Sequence, residues 1–125
     1  MRNHIISGYF GDEDGLFFEI ELLAADGLEL PVVAMFDTGF SGWLAINEQD
    51  LDALGWIYLD QQTMRTAQGD SQFDIFLGKM RIDGNEFDVP VHVGQGLSEV
   101  LLGRQWLQTR RLVVDMSSSV LTLGN

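Results

Sequence analysis

The most informative segment of this chain is Ala34-Met35-Phe36-Asp37-Thr38-Gly39-Phe40-Ser41-Gly42-Trp43-Leu44. An apolar segment runs directly into the triplet Asp37-Thr38-Gly39, and a second apolar segment follows it; the triplet occurs once. Burying a carboxylate is costly unless a partner or a use compensates for the lost hydration. Asp37 is therefore the first candidate for a functional residue. The alternative is an ordinary Asp turn before Thr-Gly, which is a common use of Asp.

The length and composition of the chain are those of one globular domain. It has 125 residues, of which 46% are hydrophobic and 21% are charged, unlike the composition of disordered chains. This length is enough for one compact core and too short for two. We therefore expect residues 1–125 to form a single domain.

The charge of the chain argues against nucleic acid and membranes as partners. Nineteen acidic and seven basic residues give a formal net charge of -12, which repels phosphate backbones and anionic lipids. No apolar run approaches the roughly 20 residues that cross a bilayer. The chain has no cysteine, and residues 1–8 lack the apolar core of a secretory signal, so we predict a cytoplasmic protein.

Short segments rich in Val, Ile, Leu and Phe, separated by Gly-containing turns, predict a mostly β protein. Residues 16–23 alternate, with Phe18, Ile20 and Leu22 on the side expected to be buried. Asp26-Gly27 is a strong hairpin signal, so residues 28–36 are the predicted return strand that delivers Asp37 at its end.

Three further hairpins and two short helices complete the prediction. Ala67-Gln68-Gly69-Asp70 lies between two strand-like runs over residues 63–77 and suits an exposed, mobile hairpin tip. Asn47 can cap a helix of about two turns that ends at Gly55. The remaining predicted elements are a hairpin around Asp83-Gly84-Asn85, a short helix over residues 104–110, and a last hairpin over residues 112–115 and 120–123.

Three motifs occur in a fixed order along the chain: Asp37-Thr38-Gly39, then Ala67-Gln68-Gly69, then Leu101-Leu102-Gly103. This ordered set resembles the retropepsin-like single-domain aspartic proteases, over roughly residues 16–123. The resemblance implies a mostly β fold, the single lobe of an acid protease. That lobe is a closed or partly open β-barrel with a flap hairpin and one or two short helices, and it assembles as a two-fold homodimer.

The resemblance also implies a chemistry. One Asp37 from each subunit would share a single proton, so that the ionised carboxylate activates a water and the protonated one donates to the scissile carbonyl oxygen. The expected activity is that of an aspartic endopeptidase acting on an extended polypeptide. By resemblance, the Thr38 hydroxyl bonds across the two-fold axis, and Gly39 permits the tight turn.

The same resemblance implies which residues bind substrate. The flap tip, Ala67, Gln68 and Gly69, would close over the cleft, and Phe40 and Ser41 would line it, with Ile75 and Phe76 as further pocket candidates. Phe40 stands where the family commonly has Ser, Thr or Ala, so it offers no hydroxyl to the ionised pair, and we expect activity nearer neutral pH. Ser41 replaces an acidic residue that often pairs with the Arg of the Gly103-Arg104 element.

Other functions have weaker support in the sequence. A catalytically silent binding or scaffold module of the same fold, with its cleft closed by Phe40 or by a shut flap, stays open as an alternative. His4 and His92 fit no metal-ligand spacing, and we interpret them as incidental surface or hydrogen-bonded histidines, with no metal and no cofactor. A nucleophile built from Ser41 and His92 lacks the Gly-x-Ser-x-Gly elbow.

Overall fold

The computed structural model describes residues 5–66 and 69–125, and across these ranges the chain forms eleven strands and three short 3-10 helices. The strands are β1 (Ile5–Ser7), β2 (Tyr9–Phe10), β3 (Leu16–Leu23), β4 (Glu29–Phe36), β5 (Leu44–Asn47), β6 (Ile57–Thr66), β7 (Gly69–Ile82), β8 (Asn85–Gly94), β9 (Val100–Leu102), β10 (Arg111–Asp115) and β11 (Val120–Gly124). The 3-10 helices are Asp12–Asp14, Glu48–Asp50 and Arg104–Gln108. The prediction of a mostly β fold is confirmed.

The larger sheet has eight strands in the order β2-β3-β4-β9-β5-β8-β7-β6. It is mixed, because β4–β9 and β5–β8 run parallel while the other neighbours are antiparallel. An additional antiparallel pairing joins β3 to β7 at Glu21↔Arg81 and Leu22↔Met80. The sheet thus curls back on itself, as expected for a partly open barrel.

The smaller sheet has three antiparallel strands in the order β1-β11-β10. β11 lies in the centre, and its Leu121 and Leu123 are 2% and 1% exposed. β10 and β11 form the predicted last hairpin, and β1 closes the other side of β11. Consequently β1 and β10 are the two edges of this sheet.

The core follows the alternation of the strands. Phe18, Ile20 and Leu22 on β3 are all buried, as the period of two predicts. They pack in one core with apolar side chains of both sheets, including Leu44 and Val91 of the larger sheet and Leu121 of the smaller one. Asp26 accepts a hydrogen bond from the backbone N–H of Leu28 (3.0 Å), which stabilises the predicted turn between β3 and β4.

The predicted two-turn helix after Asn47 is wrong in length. Asn47 does act as the cap, since its side-chain oxygen accepts from the backbone N–H of Gln49 (3.0 Å), but only the single turn Glu48–Asp50 follows. Leu54 is buried, and its carbonyl accepts from the backbone N–H of Ala25 (2.8 Å). The segment after Asp50 packs onto the turn between β3 and β4 and does not continue as a helix.

The predicted helix near Arg104 is present as the 3-10 helix Arg104–Gln108, shorter than expected. It buries Trp106, whose indole N–H donates to the carbonyl of Trp43 (2.9 Å). Within the ranges that the structure describes, no helix is long and apolar enough to cross a membrane.

Candidate active site

Asp37 lies where β4 leaves the larger sheet, beside the end of β9. Its backbone N–H donates to the carbonyl of Leu102 (2.9 Å), continuing the parallel β4–β9 pairing by one residue. Its carboxylate Oδ1 accepts from the backbone N–H of Gly39 (2.8 Å), and the backbone N–H of Phe40 donates to its carbonyl (3.1 Å). The triplet therefore forms a tight turn that fixes a half-buried carboxylate at the end of a buried strand.

Thr38 and Gly39 are both exposed at the apex of this turn. A Cβ on Gly39 would lie 3.2 Å from Oδ1 of Asp37, so a side chain there would crowd the carboxylate. The carbonyl of Thr38 accepts from Nη1 of Arg104 (3.4 Å). The Arg104 side chain thus stabilises the turn through a backbone carbonyl, and Thr38 itself lies at the surface.

The Asp37 loop (residues 37–43) is held by the Gly103 segment (residues 103–106). Three side-chain bonds join them, namely the Arg104 bond to Thr38 O already described, Gln105 Nε2 to Ser41 O (2.9 Å) and Trp106 Nε1 to Trp43 O (2.9 Å). Three backbone bonds add to these: Gly103 N to Trp43 O (3.0 Å), Arg104 N to Phe40 O (2.9 Å) and Gln105 N to Gly42 O (3.3 Å). A Cβ on Gly103 would lie 2.0 Å from the carbonyl oxygen of Gly42. Only glycine permits this approach, which explains the glycine of Leu101-Leu102-Gly103.

The Phe40 ring folds back onto its own loop and contacts the backbone of the Gly103 segment. A Cβ on Gly42 would lie 2.6 Å from the ring, and one on Gly103 would lie 2.8 Å from it. The ring also packs edge to face against His92, with 5.2 Å between the ring centroids. Phe40 therefore supports the loop through the space that these two glycines leave.

A cleft of about 870 Å³ opens beside the Asp37 loop. The flap hairpin, formed by β6 and β7, bounds one side, and the loop after β8 bounds another. The lining residues from the Asp37 loop are Asp37, Gly39, Phe40 and Ser41. Those from the flap hairpin are Gln61, Met64, Arg65, Ser71, Gln72, Phe73 and Asp74, and those from β8 and its loop are Val93, Gly94, Gln95, Gly96 and Leu97.

The flap hairpin is longer than the predicted run over residues 63–77. Its described strands pair as far as Thr66↔Gly69, and Gly69 is exposed with φ +107. Two of the three predicted tip residues, Ala67 and Gln68, lie outside the described residues.

Two predicted pocket residues do not line the cleft. Ile75 is 3% exposed in the core, and Phe76 packs against Tyr58 with 5.5 Å between ring centroids. The cleft is lined instead by Phe73, which sequence reasoning missed. Phe73 lies two residues from Ile75 on the same face of β7. The alternation of the strand therefore predicts the correct face, and the prediction of Ile75 was wrong only in its position along the strand.

His92 lies beneath the Asp37 loop, on β8. It is 6% exposed, and its ring contacts those of Phe40 and Phe73, with 5.9 Å between the His92 and Phe73 centroids. Burial lowers the pKa of His92 from its usual value, which favours the neutral imidazole. Its Nδ1 has no hydrogen-bond partner among the described residues. The interpretation of His92 as an incidental surface or hydrogen-bonded histidine is therefore wrong; His4 lies outside the described residues.

Acidic groups dominate the charged lining of the cleft. Asp37, Glu48 and Asp74 line it together with one cation, Arg65. Arg104 is exposed and, within residues 5–66 and 69–125, pairs with the Thr38 carbonyl and with no acid. In the same ranges, no group of three or more His, Asp or Glu side chains could hold a metal ion.

The fold is that of the retropepsin-like aspartic proteases, as expected. A retropepsin-like aspartic protease from Rickettsia conorii superposes with a TM-score of 0.66 at 21% identity, covering 99% of this chain and 94% of that one. The EIAV protease in complex with the inhibitor HBY-793 gives a TM-score of 0.61 at 14% identity, with 79% and 90% coverage.

The solution structure of the simian foamy virus (mac) protease gives a TM-score of 0.53 at 18% identity, with 77% of this chain and 99% of that chain covered. No protein-family model matches the sequence, and no curated protein matches it. At these identities the likeness shows the fold alone, and the chemistry depends on the residues that this chain places in the cleft.

Proposed function

We propose that this chain is a single-domain aspartic endopeptidase, active as a homodimer, that hydrolyses peptide bonds of an extended polypeptide. The observation that carries the proposal is Asp37 itself. Its carboxylate is held by the Gly39 N–H on a turn clamped by the Gly103 segment, and it opens into a cleft beneath a long β-hairpin. A fixed carboxylate in a cleft of this size suits acid-base chemistry on a bound chain.

Peptide hydrolysis by this route needs two carboxyl groups, and each chain supplies one. In the proposed dimer, the two Asp37 side chains face each other across a two-fold axis and share one proton, because two like charges at short range do not both ionise. The ionised carboxylate takes a proton from water, whose oxygen attacks the scissile carbonyl carbon. The protonated carboxyl donates to the carbonyl oxygen, and breakdown of the tetrahedral intermediate transfers a proton to the leaving amine.

The neighbours of Asp37 have distinct proposed roles. The exposed Thr38 side chain is available to hydrogen-bond with the partner's loop, and Gly39 leaves room at the carboxylate. Phe40 and Ser41 would contact substrate from the cleft floor. Ala67, Gln68 and Gly69 would close over an extended substrate, whose backbone pairs with the flap as an added strand.

The surroundings of the cleft favour the enzyme over the silent module of the same fold. The silent module would have its cleft closed by Phe40 or by a shut flap. The Phe40 ring packs instead onto Gly42, Gly103 and His92, and a cleft of about 870 Å³ stays open between the Asp37 loop and the flap hairpin. Its acidic lining suits neutral or basic peptide segments, through an attraction that salt screens. A chain without cysteines also suits a reducing compartment, and we place the activity in the cytoplasm.

Asp37→Asn tests the proposal. This variant keeps the size and most hydrogen bonds of the side chain and removes its acid-base capacity, so we expect cleavage of a peptide library to disappear while the protein stays folded and dimeric. The matched control is Asp52→Asn, which makes the same change at an exposed residue outside the cleft. Cleavage by Asp37→Asn at the wild-type rate would overturn the proposal.

A further inference from the structure

His92 is the one buried ionisable side chain among the described residues, at 6% exposed. It lies in the middle of the larger sheet, because β8 pairs with β5 at Ala45↔His92 and with β7 at Ile75↔His92. Val91 and Val93 on either side of it belong to the main core, so the alternation of β8 directs His92 to the opposite face of the sheet. On that face, His92 shares a second buried layer with Ala45 and Ile75.

Two aromatic rings that line the cleft rest on the imidazole of His92. The Phe40 ring comes from the Asp37 loop and packs edge to face, with 5.2 Å between the ring centroids. The Phe73 ring comes from the flap hairpin and also packs edge to face, with 5.9 Å between the centroids. Phe40, His92 and Phe73 form one ring cluster, in which His92 is the common neighbour of the two cleft residues.

The backbone leaves little free space around the ring cluster. A Cβ on Gly42 would lie 2.8 Å from Cε1 of His92 and 2.6 Å from the Phe40 ring. On the flap side, a Cβ on Gly94 would lie 2.5 Å from the Phe73 ring. Because the three rings fill the space that these glycines leave, a displaced imidazole has to move Phe40 or Phe73 with it.

Only the neutral form of His92 suits these surroundings. Its Nδ1 is buried without a hydrogen-bond partner among the described residues, and the neighbouring rings are apolar. Protonation would add a charge that no partner compensates, which is costly in a buried place.

No charged group offsets this cost. Four carboxylates are the charged residues nearest along the chain on the elements packed against His92: Asp37 in the loop, Glu48 after β5, Asp74 on β7 and Asp88 on β8. Asp74 pairs with Val93 and therefore lies on the opposite face of the sheet. Burial alone lowers the pKa of His92, with no contribution from a neighbouring charge.

We infer that neutral His92 is a positioning residue for the cleft, which holds Phe40 and Phe73 at a fixed separation. It acts through these two rings and does not itself line the cleft. Protonation drives the imidazole toward water, and both rings then lose the surface on which they rest. The inference rests on the proposed function where it concerns cleavage, while the packing of the three rings does not.

This role sets the acid limit of the activity. An Asp37 pair by itself stays competent while one of its carboxyl groups is ionised, and the first ionisation of such a pair can lie as low as about 1.5. In this chain the cleft loses its shape earlier, as His92 takes up a proton below the usual histidine pKa of 6.5. Activity therefore falls before the carboxylate pair loses its last charge.

His92→Phe tests this limit, since phenylalanine keeps a ring in the same space and cannot be protonated. The measurement is kcat/KM for one cleaved peptide from about pH 3.5 to 7.5, with each profile divided by its own value at pH 7.5. We expect the wild type to lose roughly tenfold for each pH unit below the pKa of His92, and the acid limb of the variant to lie at least about one pH unit lower. An acid limb that does not move would overturn the inference.

Three further variants separate positioning from general stability. His4→Gln removes the other histidine of the chain and should leave the acid limb in place. His92→Ala removes the common neighbour of the two rings, and we expect kcat/KM at pH 7.5 to fall about tenfold or more. Leu121→Ala opens a cavity at a buried residue of the smaller sheet and should leave kcat/KM of the folded protein unchanged. Equal losses in the two alanine variants would contradict the positioning role.

A measurement without substrate distinguishes this inference from the proposed function. Nuclear Overhauser contacts from the His92 ring to the Phe40 and Phe73 rings can be followed in a pH titration of His4→Gln, in which His92 is the only histidine. We expect both contacts at neutral pH and their joint loss as the imidazole is protonated.

The two proposals fail in different ways. Contacts that persist in the protonated protein overturn the role of His92, and they leave the protease proposal intact if the wild type cleaves peptides. Joint loss of the contacts, together with wild-type protein that cleaves no peptide, confirms that His92 holds the two rings and overturns the protease.

Discussion

Gly103→Ala should damage the protein far more than its single added methyl suggests. The new Cβ would lie 2.0 Å from the carbonyl oxygen of Gly42 and 2.7 Å from its carbon, which are backbone atoms that cannot rotate away. Relief requires the Asp37 loop to move off the Gly103 segment. The backbone φ of Gly103 is -97, so alanine meets no conformational strain there, and the whole cost comes from this contact.

The magnitude follows from the contacts that have to change. Overpacking typically costs about 1–3 kcal/mol. Displacing the loop also weakens the bonds from Gly103 N to Trp43 O and from Arg104 N to Phe40 O, each contributing about 1 kcal/mol. We therefore expect a loss of about 3–5 kcal/mol in the free energy of unfolding, a large part of the about 5–15 kcal/mol of a typical domain.

Urea denaturation followed by tryptophan fluorescence measures this loss, since Trp43 and Trp106 both adjoin the displaced backbone. Gly84→Ala is the matched control: its φ is +76 and nothing lies within 4 Å of a Cβ there, so it incurs only the left-handed backbone strain of about 1–2 kcal/mol. Equal losses in the two variants would refute the steric argument. We also expect Gly103→Ala to lose the proposed peptidase activity even where it remains folded.

Two further predictions concern buried side chains beside the same loop. His92→Phe should weaken the pH dependence of stability. Because burial lowers the folded-state pKa of His92, wild-type protein loses stability as pH falls below about 6.5, and the variant should lose less between pH 7.5 and 5.5 in urea titrations. Identical pH slopes would contradict this. Trp106→Phe leaves the Trp43 carbonyl without its indole donor and opens space in the core, so we expect about 2–4 kcal/mol lower unfolding free energy by the same assay; a change under 1 kcal/mol would argue against this role for the hydrogen bond.

The turns and strand faces were predictable because local chemistry decides them. Asp83 and Gly84 adopt φ 51 and 76 in the tight turn between β7 and β8, a conformation that Asp and Gly tolerate better than other residues. The alternation of Phe18 with its neighbours likewise needs no knowledge of distant parts of the chain. The position of Asp37 at a strand end followed from the same reasoning.

The parts that sequence reasoning missed depend on contacts between distant residues. Burial of Leu54 against the turn between β3 and β4 outweighs the helix that the Asn47 cap favours locally. The sequence left open that Phe40 obstructs the cleft. The space beside Gly42 and Gly103 into which its ring folds exists only once the two segments are packed together. The aromatic surroundings of His92 come from separate elements, so no local pattern marks that residue as buried.

The bonds between the Asp37 loop and the Gly103 segment also govern when the site can form. They link positions about sixty-five apart in the chain, such as Ser41 with Gln105, whose separation is 64. Contacts of such long sequence separation form late, because the intervening chain must first be ordered. On the ribosome, the aspartate-bearing turn therefore has no support until most of the polypeptide has been made. If the chain is the proposed peptidase, an unfinished copy therefore cannot yet cleave neighbouring nascent proteins.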